Sequence, residues 1–253
     1  MWHSRQPVQP APTEMKKFAS KWTRHRQLAL LTISLIGYCG FASEPVAIAE
    51  NTAPTSETEQ QTTPPVGPPA TIDGFRQALF GMSEEQVRQA VRREFSAAAG
   101  KISSAVHPSE KTTVLSVTAS DLLPNSGNAR ISYIFGYRSK KLIQVNIVWT
   151  SEGNAASDET LVGTANSLRD YFATQNYKPD TVIANRQLAE NTILVFRASD
   201  LQGRMVLLVL SGVAAAARSE EKKGPRPPPL TLELSYIEDA AHPDVFRIGK
   251  GQF

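Results

Sequence analysis

From about residue 80 onward, two spacings of apolar residues alternate along the chain, one helical and one of period two. The first helical stretch is "FGMSEEQVRQAVRREF", Phe80 to Phe95. In it Val87, Ala90, Val91 and Phe95 recur on one face, while Gln86, Arg88, Gln89 and Arg93 take the other. Ser83 followed three residues later by Gln86 forms a capping box, and Met82 and Val87 stand where a hydrophobic staple would be, so the helix is predicted to begin at Glu84. Glu84 and Glu85 in the first turn and Arg92 and Arg93 near the last suit the helix dipole. The run "SAAAGK" ends it.

Period-two segments follow. "TTVLSV" (Thr112 to Val117) reads as a strand. "ARISYIFGYR" sets Ile131, Tyr133, Phe135 and Tyr137 on one side, and "LIQVNIVW" sets Ile143, Val145, Ile147 and Trp149 against Gln144 and Asn146. Such alternation predicts an antiparallel sheet with one covered face. "RSKK" between the last two is a hairpin turn without the Gly or Asn that primed turns favour. A second helix is predicted from an N-cap at Ser157 or Asp158, with Leu161, Ala165, Leu168 and Phe172 on one face, ending at "NYKP". Strands then return in "NTILVFRAS", "RMVLLVLSG" and "LTLELSYIE", the last with Leu230, Leu232, Leu234 and Tyr236 inward and Thr231, Glu233 and Ser235 outward. The fold class is α+β: two helices on antiparallel meanders, in an order that suggests a duplicated helix-plus-three-strands unit with halves 72–152 and 153–253.

What flanks these patterns divides the chain. Asn51 to Thr71 has only Ala and Val as apolar residues and repeats Pro and Thr, too little to offset ordering at ~1–2 kcal/mol per residue. Residues 50–71 are therefore predicted to be a disordered tether before a single domain, 72–253. "ARSEEKKGPRPPPL", Ala217 to Leu230, reads as a solvated loop, in which Pro227–Pro229 is an exposed stiff connector or a ligand for a polyproline reader.

The amino end has the order of a secretory signal. Lys16, Lys17, Lys21, Arg24 and Arg26 precede the apolar run "LALLTISLIGYCGFA", Leu28 to Ala42, and a small-residue site follows at Ala47-Ile48-Ala49. Met15 would serve as a start as well as Met1. The apolar run is shorter than the ~20 residues a bilayer span needs. The expectation is export to the periplasm or envelope, with membrane contact only through an uncleaved signal. Cys39 follows bulky Tyr38 and reads as apolar filler, so the chain after Ala49 holds no cysteine and no disulfide or thiolate chemistry. The chain carries 27 Lys/Arg and 24 Asp/Glu; six and two of these lie in residues 1–49, which leaves 21 against 22. The basic excess belongs to the signal, and nothing in the remainder points to nucleic acid.

Chemistry is sparse. After Ala49 the imidazoles are His107 and His242, and no G-x-S-x-G, phosphate loop, dinucleotide fingerprint, H-E-x-x-H or Cys-x-x-Cys is present. His107 falls in the polar loop "SSAVHPSEK". Glu238, Asp239, His242 and Asp244 form one dense cluster that could hold Zn²⁺ or Mn²⁺. Its spacing matches no metal motif, and Asp239, Pro243 and Asp244 suit a turn, so no cofactor is assigned. Two surfaces are candidates for a partner. One is the aromatic set Tyr133, Phe135, Tyr137 and Trp149, which forms a binding face if no helix covers it and core if one does. The other is the basic hairpin Arg138, Lys140 and Lys141, suited to an acidic partner or lipid headgroups, or simply to solubility.

The block Gly81-Met82-Ser83-Glu84-Glu85-Gln86-Val87 resembles the opening "G-[MT]-[ST]-x-x-x-V" of the SmpA/OmlA family of small outer-membrane assembly lipoproteins and of the related β-lactamase-inhibitor-protein-like modules. The resemblance implies helices on an antiparallel meander, in tandem units for the inhibitor type, and a non-catalytic envelope domain that contacts proteins. The chain departs from the family in having no cysteine placed for lipidation and in carrying "FSAAAGK" where the family has Gly-x-Pro. Neither anchoring nor assembly-complex membership is carried over, and no site residue beyond the opening. The function expected is that of a non-enzymatic envelope adaptor bound to a protein. The alternatives are a metal protein or enzyme using the Glu238–Asp244 cluster, and a small-molecule carrier with a pocket between helices and sheet.

Overall fold

A computed structural model of the chain describes residues 67–95, 101–152, 156–213, 228–249 and 251, all within one compact unit. The expected signal, Cys39, the two candidate starts, most of the tether and the loop at 214–227, including Pro227, lie outside the described residues.

The described chain opens with a small hairpin, β1 (Gly74–Phe75) and β2 (Ala78–Leu79), followed by helix α1 (Glu84–Glu94). Strands β3 (Ser103–Val106), β4 (Thr113–Ser120), β5 (Asn128–Phe135) and β6 (Leu142–Thr150) come next. Helix α2 (Asp158–Ala173), a 3-10 turn (Pro179–Thr181) and strands β7 (Ile183–Ala189), β8 (Thr192–Ser199), β9 (Met205–Ser211) and β10 (Thr231–Ile237) complete it. All eight later strands form one antiparallel sheet in the order β3-β4-β5-β6-β10-β9-β8-β7. The two meanders thus meet along β6 and β10, whose ladder runs from Thr150 opposite Thr231 to Gln144 opposite Ile237. The fold is α+β as the patterning predicts, but each helix precedes four strands and not three. The extra ones, β3 and β7, are the sheet's edges, where both faces are wet and no alternation marks them. Part of the expected polar loop, Ser103–Val106, is therefore strand. β3 is four residues long, and β7 leaves Asn185 unpaired at a φ of 52° and shifts register between Gln187 and Ala189; both devices blunt an edge against further pairing.

Both helices form as their caps predict. Ser83 accepts from the Gln86 amide, the Gln86 side chain returns to the Ser83 amide, and Ser157 caps α2 through the Thr160 amide. A cap contributes ~1 kcal/mol, whereas each large apolar side chain buried contributes ~1.5–3 kcal/mol, so the inward faces fix the helices' places. Val87, Ala90 and Val91 of α1 and Leu161, Ala165, Leu168 and Phe172 of α2 are all buried. They lie on the same side of the sheet as the paired row Val117, Ile131, Ile147, Leu234, Leu208 and Phe196. β1 fits between the helices over the seam, touching β6 and β10, with Phe75 stacked on Tyr236 at 5.9 Å between centroids. Tyr236 continues through Phe172 to Phe196 and Tyr177, a line of rings that joins hairpin, α2 and sheet.

The domain begins earlier than composition suggests. Residues 67–71, expected in the tether, are held by the loop after α2: the Asn176 side chain donates to the Gly67 carbonyl at 2.8 Å, and the Ala70 amide donates to the Asn176 carbonyl at 2.8 Å. Next along the chain, the Ile72 amide donates to the Asp200 carboxylate at 3.0 Å and Asp73 pairs with Arg204. Asp200, only 1% exposed, opens the turn "DLQG" between β8 and β9 and also accepts from the Gln202 and Arg204 amides. One buried carboxylate therefore closes a turn and clasps the amino-terminal segment. Replacing it strands three backbone donors, each costing ~1–3 kcal/mol if left unpaired. Asp200→Ala is expected to lower the unfolding free energy by about 3 kcal/mol or more, measured by urea denaturation; a loss below about 1 kcal/mol would contradict this role.

Candidate functional site

Because α1, α2 and the β1–β2 hairpin all pack on one side, none of them covers the other side of the sheet. By strand spacing that side is about 34 Å across and about 23 Å along the strands. Its paired rows are mixed in character. One runs Ser116, Ser132, Asn146, Ser235, Leu207, Arg197, and the next runs Thr118, Arg130, Val148, Glu233, Val209, Leu194. Polar residues dominate on β4 to β6, where Ser116 and Ser132 share a hydrogen bond at 3.2 Å and Gln144 donates to Asn146 at 2.7 Å. Apolar residues dominate toward β9: Met205, Leu207, Val209, Ile237 and Val148 are all partly buried, and Leu194 fully so. The change of face depends on a bulge. Leu194 pairs with Val209 and Phe196 with Leu208, and Val195, the extra residue between them, turns Leu194 to the uncovered side and Phe196 to the core.

Glu233 sits near the middle of this face, on β10, with Val148 and Val209 directly opposite it on the neighbouring strands. Its carboxylate accepts a 3.4 Å hydrogen bond from Ser235 and has no ion-pair partner among the described residues. Burial pushes its pKa above the ordinary carboxylate value, and the Ser235 bond only partly offsets this.

The aromatic candidates divide. Tyr133, Phe135 and Trp149 are at most 2% exposed and form part of the core, so they offer no binding face; the helices and hairpin cover them. Burial drives the Tyr133 hydroxyl well above its usual pKa, helped by Glu94 and opposed by Arg76. Tyr137 escapes because Gly136 ends the strand and turns the chain into the β5–β6 loop.

That loop makes a second site. The segment after β10 runs back along the sheet end: the Glu238 amide donates to Ile143, the Tyr137 amide to the Asp244 carbonyl, and the Phe246 amide to Glu110. The Asp244 carboxylate accepts from the Arg138 amide at 3.0 Å and the Ser139 amide at 2.8 Å. This brace, with Lys140 at a φ of 55°, closes a turn that lacks Gly or Asn at its tip. A Cβ on Gly136 would collide with the same carboxylate, so the glycine is needed for close approach. The result is a groove of about 610 Å³ lined by Tyr137, Arg138, Lys140, Val245, Phe246 and Arg247. Tyr137 meets Phe246 edge to face at 5.5 Å, and the Lys140 ammonium lies 5.3 Å from the Tyr137 ring centre. Lys141 is exposed beside the groove and does not line it.

The acidic cluster of the carboxyl end is dispersed by these contacts. Asp239 accepts from the Ala241 and His242 amides as a turn residue, and exposed His242 lies 3.6 Å from the Asp239 carboxylate. Glu238 faces Arg204, with its pKa raised by burial, then lowered by Arg204 and raised by Asp239, and Asp244 is committed to the loop. Among the described residues no three His, Cys, Asp or Glu group to hold a metal ion. His107 closes its own turn, its Nδ1 accepting from the Glu110 amide at 3.1 Å. Among the described residues no helix is long and apolar enough to cross a membrane. Comparison of the chain with protein-family models, with curated proteins and with solved structures finds no match.

Partial burial raises the Asp244 pKa, but the Ser139 and Arg138 hydrogen bonds outweigh it, and the net shift is downward. A depressed carboxylate stabilises above its unfolded pKa, ~3.9, and that contribution disappears as pH falls through the lower folded value. The Arg138 and Ser139 amide resonances are expected to titrate with a midpoint below ~3.9 and to be flat in Asp244→Asn. A midpoint at or above the ordinary value would contradict the brace.

Proposed function

We propose that the protein is an exported, non-enzymatic binding module of the cell envelope, whose uncovered sheet face docks a partner protein with an apolar surface and at least one Lys or Arg. The observation that carries this reading is Glu233: a carboxylate held half-buried between two valines, without a cation of its own among the described residues, near the middle of the sheet face opposite the helices. Its row offers Arg130 two strands away, about 9.6 Å between backbones, and the two form no ion pair among the described residues. A partner's cation would find a carboxylate already partly desolvated, and Leu207, Val209 and Ile237 around it would lose the water they now hold. The face is on the order of the 800 Å² that each partner in a standard complex buries.

Export rests on the amino-terminal basic-then-apolar order and the small-residue site at Ala47–Ala49. The resemblance of Gly81–Val87 to envelope proteins that contact other proteins points the same way. The sparse inventory of nucleophiles and bases supports binding over catalysis.

Glu233 has opposite effects on folding and on binding. Its raised pKa means that the charged form is disfavoured in the folded state, so a stabilising share present at low pH is lost as pH rises through the folded value. Glu233→Gln is therefore expected to raise the melting temperature at pH 7 and not at pH 3. It should also reduce, several-fold, the yield of a discrete photo-crosslinked adduct formed in cells by a probe at Leu207. A probe at Val162, exposed on α2, should give no such adduct. If the substitution lowers stability, or leaves the Leu207 adduct unchanged, the reading fails.

A further inference from the structure

We propose that the groove end of the sheet is a peripheral membrane contact that rests on anionic phospholipid headgroups. The site is independent of the uncovered face, and it combines two chemistries. Arg138, Lys140 and Lys141 from the β5–β6 loop and Arg247 from the carboxyl-terminal segment supply four cations, none within ion-pair distance of a carboxylate among the described residues. Asp244, the acid nearest Arg247 in sequence, is engaged by backbone amides and offsets part of the Arg138 charge. Among these charges stand apolar side chains open to solvent, Phe246 at 36% and Ile248 at 60% exposed.

An acidic protein segment would satisfy the cations and leave Phe246 and Ile248 without apolar company. The headgroup and acyl boundary of an anionic bilayer satisfies both, with phosphates for the guanidinium and ammonium groups and hydrocarbon for the side chains between them.

Position in the fold supports the same partner. Gln144, Ile237 and Met205 are paired across β6, β10 and β9, so the β5–β6 loop and the β8–β9 turn lie at one end of the sheet. Ile72 and Asp73 are clasped to Asp200 and Arg204 of that turn. The chain that carries the basic cluster Lys16–Arg26 and the apolar run Leu28–Ala42 therefore joins the domain at this same end.

The amino-terminal segment would itself hold any variant on a vesicle, so the test needs a local readout in the full chain. Cys39→Ser with Phe246→Cys carries an environment-sensitive fluorophore at the groove, and Cys39→Ser with Val162→Cys carries it on α2. Each is mixed with vesicles of phosphatidylcholine alone or of phosphatidylcholine with phosphatidylglycerol. Emission from position 246 is expected to shift to the blue on the anionic vesicles only, to lose the shift in high salt, and to stay unshifted at position 162. Combining Arg138→Gln, Lys140→Gln and Arg247→Gln should abolish the shift, each basic residue being worth roughly fivefold at an anionic surface. Should the triple variant fail to fold by circular dichroism, Arg247→Gln alone, in the carboxyl-terminal segment, is expected to weaken the shift. No shift at 246, an equal shift on neutral vesicles, a shift indifferent to these substitutions, or a response to a polyglutamate peptide but not to vesicles would overturn the proposal.

Discussion

The pairing of β6 with β10 is the constraint on which the rest of the molecule depends. Each meander alone is a four-stranded sheet with one helix, and the seven matched residue pairs between Thr150–Gln144 and Thr231–Ile237 turn the two into one sheet. A slip of one residue along this ladder would turn Leu232, Leu234 and Tyr236 outward and Glu233 and Ser235 into the core. With the register as it is, Ile147 faces Leu234 and Trp149 faces Leu232 beneath the helices. The seam also has to be covered, and β1 with Phe75 does that where neither helix reaches. Asp200 matters for the same reason, since it holds the segment that leads into that hairpin.

One-sided covering explains how the molecule divides its labour. The apolar area of both helices, the hairpin and the inward rows is spent on the same face. What remains is a broad sheet surface that is neither fully polar nor fully apolar, together with a charged rim at one end. The side chains suited to acid–base or metal chemistry are mostly engaged elsewhere: Asp200 and Asp244 receive backbone amides, and His107 and Asp239 close turns. Glu233 differs from them because it sits among valines with only a serine hydroxyl for company.

Strong periodicity made the helices and six of the eight sheet strands legible in the residues themselves. Ser83 with Gln86 located the start of α1, and the alternation from Leu230 to Tyr236 assigned both faces of β10 correctly. Edge strands were not legible, since at Ser103–Val106 and Ile183–Ala189 little is buried and so no pattern is imposed. The hairpin at Gly74–Leu79 was missed because two-residue strands are too short to show a period. The bulge at Val195 hides the change of face between Leu194 and Phe196. Site residues were harder. Alternation put Tyr133, Phe135 and Trp149 on one face but could not say that a helix would cover it. The Asp244 brace joins residues about a hundred positions apart, and its only local trace is the glycine at 136, which makes room for the carboxylate. Alternation puts Glu233 outward, yet its isolation appears only once Val148 and Val209 are placed beside it.

Footprinting with a photoactivated carbene tests the central claim most directly, because it labels accessible C–H bonds on both faces at once. The account predicts that in the isolated protein Met205, Val209 and Ile237 are labelled while Ile147, Leu208 and Leu234 are protected, and that the first three become protected in intact cells. Equal protection of the two faces in the isolated protein, or labelling of Met205, Val209 and Ile237 that is the same in cells as in solution, would contradict it.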